Sequence, residues 1–298
     1  MIDSLGDRMK EYYENRSKSF LTRRNNVIIR IDGKAFHTYT IGLERPFDKD
    51  FAVDMNETMK YLCENIQGAK MGYVQSDEIS IWLTDYDDQK TDAWFDYNVQ
   101  KMSTIAASLA TAKFNQLRLI RNLNKNEESY IKCLDTIRDS KLAMFDARSF
   151  SIPTTDEVIN YFIWRQQDAT RNSISAAAQA LYSPNELKKI SSEDKQEMMH
   201  RKGVNWNDYP TRFKRGSACI KVERTYKKKK GEKSAGVALS SSEAWEILET
   251  IAAKGSDVLS TLDFEIYKRK HWEIIDETPI FTQDKHFIDR LSPENTKA

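Results

Sequence analysis

Two segments, Arg30-Ile31-Asp32-Gly33-Lys34-Ala35-Phe36-His37 and Gly72-Tyr73-Val74-Gln75-Ser76-Asp77-Glu78-Ile79-Ser80, each put an aspartate where an apolar strand ends. The first follows Val27-Ile28-Ile29. The second lies between strand-like runs at 71–75 and 79–83, so Asp77 falls at the turn of a hairpin. Two aspartates brought together at strand ends can hold a pair of Mg²⁺ ions, because hard divalent cations take carboxylate oxygens and keep substrate phosphates among their ligands. The pair therefore points to phosphoryl or nucleotidyl transfer.

Strand-end aspartates also form turns and cap helices, and either block alone would be read that way. Together they carry more than a turn needs. Gly33 permits close backbone approach, Lys34 and His37 add polar groups within five residues of Asp32, and Glu78 adds a third carboxylate. Glu78 also fits a strand-edge surface charge. His37 fits a packed or capping histidine, since metal activation leaves no need for an acid or base there. Phe36, Trp164 and Trp206 are expected in the core rather than as base-stacking platforms.

The intervening pattern sets the fold class. A polar N-terminal helix precedes a strand at 27–32, and a loop runs through Arg45-Pro46. A helix at 47–66 keeps Phe51, Met55, Met59, Leu62 and Ile66 on one face. After the hairpin, a long helix at 94–119 turns Val99, Met102, Ile105, Ala106, Leu109 and Ala110 inward, and a strand follows at 142–152. The order β-α-β-β-α-β predicts an α+β, ferredoxin-like domain, two helices on one face of a four-stranded antiparallel sheet. Polymerase palms and nucleotide cyclases share this core. It would set the ends of the first two strands side by side with Asp32 and Asp77 at one edge. Past Pro153 a capping box, Thr154 with Glu157, opens a helix to about Ser183. Its polar middle puts Arg165, Asp168 and Asn172 on one face, either solvated or lining a phosphate-rich cleft. A helix at 184–199 and a basic hairpin complete an α-helical and β-hairpin extension. The expected division is a catalytic domain at 1–153 and this extension at 154–298.

At net charge +1 the 298-residue chain is not a globally basic nucleic-acid binder, which leaves local patches. Residues 212–233 hold ten Lys or Arg against two Glu, including Lys227-Lys228-Lys229-Lys230. Such a hairpin tip either guards a sheet edge in solvent or contacts RNA phosphates. No apolar run spans a bilayer and no signal segment is evident, so a cytoplasmic location is expected. Cys63, Cys133 and Cys219 are too few and too scattered for a disulfide framework or zinc site and are expected as reduced thiols.

The blocks Arg30 to His37, Tyr73 to Glu78, Trp164-Arg165-Gln166-Gln167-Asp168 and Asn207 to Gly216 occur in the order seen in the tRNA(His) guanylyltransferase family, which this chain resembles over about residues 5 to 290. Where eukaryotic members carry His-Ile-Asn-Asn-Leu-Tyr, this chain reads Thr170-Arg171-Asn172-Ser173-Ile174-Ser175, so it resembles the bacterial guanylyltransferase-like branch. The resemblance implies a palm in which Asp32, the Gly33 carbonyl and Asp77 bind two Mg²⁺. It further implies that Lys34, Ala35, Phe36, His37, Arg45, Ser76, Lys101 and Asn172 contact nucleotide. The implied activity is templated 3′-to-5′ addition to tRNA 5′ ends, repairing truncated ones, with ATP and GTP as substrates and a homotetrameric assembly. Arg165, Arg215 and Lys227 to Lys230 are the candidate tRNA contacts. The competing functions are a palm-type nucleotide cyclase and a non-catalytic tRNA-binding module.

Overall fold

The computed structural model describes residues 4–124, 140–231 and 264–295 and, between 236 and 249, all but 241, 244, 247 and 248. Its described strands are β1 (Asn26–Gly33), β2 (Ala69–Gln75), β3 (Glu78–Leu83), β4 (Phe145–Ile152), β5 (Ser217–Lys229), β6 (Val237–Ala238) and β7 (Phe264–Ile275). The α-helices are α1 (Ser4–Met9), α2 (Phe36–Tyr39), α3 (Lys49–Asn65), α4 (Val99–Asn124), α5 (Thr155–Gln179), α6 (Ser192–Arg201), α7 (Thr211–Arg215) and α8 (His286–Asp289). Two compact units result, residues 1–220 with 274–298, and residues 221–273.

In the first unit the strands run β4-β1-β3-β2 with antiparallel neighbours, and the first four residues of β5 pair with β2. β1 therefore lies beside β3 and β4, not beside β2 as the sequence suggested. The Ser76-Asp77 turn folds β3 straight back along β2, and the length of α3 then allows β1 to pair with the returning strand. Asp32 faces Glu78 across β3 and Asp146 across β4. Asp77 still reaches β1, because the hairpin turn leans across the end of β3 and the Gly33 amide donates to the Asp77 carbonyl at 3.1 Å.

Alternation decides which residues are covered. Val27, Ile29, Ile31, Ile79, Ile81 and Leu83 are fully buried on the face that receives α3 and α4. Four residues of α4 at strict i+4 spacing, Met102, Ala106, Ala110 and Phe114, are fully buried, whereas Ile105, expected inward, is 36% exposed. The opposite face is covered by α5, through Tyr161 on Ser80 and Phe150 and through Phe162 on Tyr73. That covering explains why no boundary falls at 153/154: a sheet buried on both faces cannot part from the helix that covers one of them.

Helix starts follow local chemistry. The Thr154 hydroxyl accepts from the Glu157 amide, as the capping box requires. α4 begins only at Val99 because Phe95 and Asp96 are left-handed (φ 51° and 52°) and end the preceding 3-10 turn. α6 begins at Ser192, where the Ser191 hydroxyl accepts from the Asp194 amide, rather than at Pro184.

In the second unit the rest of β5 pairs with β6 and β7. Lys227 to Lys229 lie within β5 rather than at a hairpin tip, where Lys227 meets Glu243 and Lys228 meets Glu265. Cys63 and Cys219 are buried and in no disulfide, and Cys133 lies outside the described residues. Among the described residues no helix is long and apolar enough to cross a membrane.

Candidate active site

The site grows from the turn after β1. A Cβ on Gly33 would stand 2.3 Å from the Phe36 ring, so only glycine lets that ring close over the strand end. Ala35 is left-handed (φ 55°) and starts α2, which drives Phe36 into a nest of Tyr39, Phe51, Phe114 and Phe145 at ring separations of 5.0 to 6.0 Å. Ser76, at φ 50°, is the matching strained residue in the β2–β3 turn. Non-glycine residues held in this region carry on the order of 1–2 kcal/mol of strain. Both flank the two aspartates.

Asp32 is partly exposed, as is Asp77, and among the described residues neither lies within salt-bridge distance of a Lys, Arg or His. Burial pushes the Asp77 carboxyl above its ordinary value, and the charges of Asp32 and Glu78 push the same way, against hydrogen bonds from its own backbone and from Ser76. A half-buried carboxylate beside other carboxylate charges, with no counter-cation at salt-bridge distance among the described residues, forms an electrostatic seat for a cation.

Glu78 is not a surface charge. It is 9% exposed and accepts a fork of two bonds from Arg165, at 2.7 Å from Nε and 2.8 Å from Nη2. Arg165 Nη2 also donates to Asp168 at 3.0 Å, and Asp168 accepts from Arg171 and, at 3.5 Å, from Asn172. Arg165 is thus buried under the site, with its guanidinium 4.3 Å from the Trp164 ring centroid, and is not positioned for an RNA phosphate. The physical cause is the burial of Glu78 at the sheet end, which requires a cation that α5 supplies. Trp164, expected in the core, is 46% exposed, while Phe36 and Trp206 are buried as expected.

Two cavities open beside the aspartates. One of about 370 Å³ is lined by Gly33, Ala35, Phe36, His37, Ser76 and Asp77, among others. A second of about 390 Å³ shares His37 and Ser76 and extends past Arg45 and Asn172 to Gln75 and Asn56. The fold thus brings His37, Arg45, Ser76 and Asn172 together. It does not bring Lys34, Lys101 or Arg215 into either cavity. Lys34 is exposed outside both cavities, with its amide bonded to the Met144 carbonyl at 2.8 Å. Lys101 sits in the first turn of α4, 5.2 Å from the Phe95 ring centroid, whereas Phe114, thirteen residues and so about 20 Å along the helix, packs at the site. Arg215 is partly buried, its carbonyl accepting from Tyr73 and its Nε without a partner among the described residues. Lys227 to Lys230 belong to the second unit. Sequence reasoning missed the parallel stack of Phe47 on Phe213 (4.9 Å, 7°), Arg212 and the inward amide of Gln75. No local signal marks them, since they meet only through tertiary contacts.

Fold and site define a class: a mixed α/β protein whose antiparallel sheet ends in an unneutralised aspartate pair beside a cavity built from distant parts of the sequence. Comparison with known proteins narrows the class. The family model described as tRNAHis guanylyltransferase matches residues 6–153. A bacterial tRNA(His) guanylyltransferase-like protein solved in complex with ATP is 39% identical, superposes with a TM-score of 0.71 and aligns over 97% of this chain and 98% of its own. A bacterial structure with GTP gives 38% identity, a TM-score of 0.67 and coverage of 97% and 99%. The tRNA(His) guanylyltransferase of Debaryomyces hansenii is 28% identical over 217 residues, 68% of this chain and 76% of its own. The chain belongs to the tRNA(His) guanylyltransferase family, a family of nucleotidyltransferase enzymes.

Proposed function

We propose that this protein adds nucleotides to the 5′ end of tRNA in the 3′-to-5′ direction, as a tRNA 5′-end repair enzyme built on a ferredoxin-like polymerase palm. What supports this is that Gly33 and Asp77 line one cavity with the Asp32 charge acting on Asp77, and that among the described residues no Lys, Arg or His lies within salt-bridge distance of either aspartate. The donor set fits Mg²⁺, since it is all oxygen: two carboxylates and the Gly33 carbonyl. Bound there, two Mg²⁺ ions would supply Lewis acidity to an attacking hydroxyl and charge compensation to a triphosphate.

The chain's own residues do the rest. The amides of Gly33 and Lys34 are spent on Asp77 and Met144, which leaves those of Ala35, Phe36 and His37 to face phosphate oxygens. Ser76 offers a hydroxyl at the junction of the two cavities, and Arg45 offers a planar, permanently charged fork at the rim. In the first step a 5′-monophosphate oxygen of tRNA attacks the α-phosphate of ATP, releasing pyrophosphate and leaving an adenylylated 5′ end. In the second, the 3′-hydroxyl of GTP or another nucleotide attacks the tRNA 5′ phosphate, AMP departs, and the new end carries a triphosphate. The proposal includes a homotetramer, which light scattering checks.

The test is incubation with a 5′-truncated, 5′-monophosphorylated tRNA, Mg²⁺, ATP and the four nucleotides. Residues complementary to the opposing acceptor strand should be added by the wild type and not by Asp32→Ala or Asp77→Ala. A cyclic nucleotide formed without RNA would replace this function with a cyclase. tRNA binding without addition would replace it with a binding module.

A further inference from the structure

Of the buried polar side chains that line the larger cavity, one has no hydrogen-bond partner among the described residues. Gln75 ends β2, is 6% exposed and lines the cavity, yet its carboxamide makes no hydrogen bond among the described residues. Its polar neighbours in the same wall are engaged: Asn56 donates to Asp276, Ser217 donates to Asp276, and the Ser173 hydroxyl accepts from Trp206. Its polar atoms open on the cavity and meet no protein partner among the described residues, so a ligand in the cavity can complete their bonding. Gln75 pairs with Glu78 across the hairpin, so it stands on the face covered by α5, where Ala169 and Ala176 leave space. The Phe47–Phe213 stack forms an apolar wall of the same cavity.

We propose that Gln75 reads the adenine edge of the activating nucleotide, an assignment that rests on the nucleotidyltransferase function above. A carboxamide presents an N–H donor and a carbonyl acceptor side by side, and adenine presents the complement, the N7 acceptor beside the N6 amino donor. Gln75 precedes Ser76 and Asp77, so a nucleotide with its phosphates at the aspartates extends its base along the wall that Gln75 lines.

Gln75→Met, which keeps the volume and removes both polar groups, tests this together with Gln75→Leu as a second apolar variant. ATP affinity is read by calorimetric titration of the protein with ATP alone. Activation of 5′-monophosphorylated tRNA is read as KM and kcat for ATP, and addition to 5′-triphosphorylated tRNA, which needs no ATP, is read separately. Affinity for ATP should fall about tenfold and KM for ATP rise to match without a matching fall in kcat, and the ATP-independent addition should lose less than ATP-dependent activation does. Purine riboside triphosphate, which lacks the N6 amino group, should lose a similar factor on the wild type and nothing further on Gln75→Met. ATP affinity within twofold of wild type, or an equal penalty for the analogue on both proteins, overturns the proposal. A wild type that adds no nucleotide yet binds ATP in a Gln75-dependent way defeats the function instead, so the two failures are told apart.

Discussion

Asp54 and Asp77 belong to the same compact unit and meet opposite fates. Asp54, in α3, is 1% exposed and is gripped by Arg118 at 3.1 Å and Arg121 at 2.6 Å from α4, with Asp50 taking another bond from Arg121. Asp77, at the sheet end, has no cation at salt-bridge distance among the described residues, and burial together with the charges of Asp32 and Glu78 raises its pKa against hydrogen bonds from its own backbone and Ser76. A buried charge with its counterions inside the chain is scaffold, because nothing from outside is needed to complete it. A pair of partly buried carboxylates without counterions is a site, because the fold has left their neutralisation to a ligand.

The contrast is broken most severely by activity. Asp32→Ala and Asp77→Ala should each reduce nucleotide addition on the order of a thousandfold or more, with melting temperatures near wild type, as gel assays and calorimetry would read. Asp54→Ala should do the reverse. By urea titration it should lose about 3 kcal/mol, because Arg118 loses its carboxylate and Arg121 keeps only Asp50, while the folded fraction keeps its specific activity.

Glu78 and Arg165 lie between these cases. Arg165→Met leaves Glu78 buried and unpaired, so both stability and kcat should fall. Adding Glu78→Gln should recover part of the stability, and a double-mutant cycle in urea would show coupling of about 1–3 kcal/mol. Zero coupling would remove Arg165 from the support of the site.

The Asp77 shift gives a sharper test. Because its folded pKa is raised, the metal-free native state holds this proton more tightly than the unfolded chain. The contribution to stability is therefore fully present below the ordinary carboxylate value and is lost as pH rises through the folded value. Asp77→Asn should thus melt higher than wild type at neutral pH without metal, and Mg²⁺ should raise the melting temperature of the wild type alone. The smallest effect belongs to the second unit. Changing Lys229 and Lys230, both exposed, to Ala should lower the slope of log affinity for tRNA against log salt by at most about two, with little change in kcat.

Strand-forming runs, the Asp77 hairpin and the Thr154 cap were legible because each is set by residues within a few positions of one another. The same locality gave Asp32 and Asp77 away, since an aspartate beside a strand end is visible in a short window. Local pattern misjudged Ile105 and the start of α4, where packing and a left-handed turn overrode helical periodicity. It also left Lys101 among the nucleotide contacts, although the length of α4 carries it to the far end of the helix.

The amino-acid sequence by itself determined the chemistry available: two carboxylates on turns, a glycine that only a close approach requires, and a family pattern spread along the chain. Tertiary structure decided what each acid does. Glu78 meets Arg165 from 87 residues away and is neutralised, whereas Asp77, one residue earlier, has no cation at salt-bridge distance among the described residues. Asp77 lies in the turn and Glu78 opens the strand, and the partner that neutralises Glu78 arrives on a helix whose position no local pattern encodes.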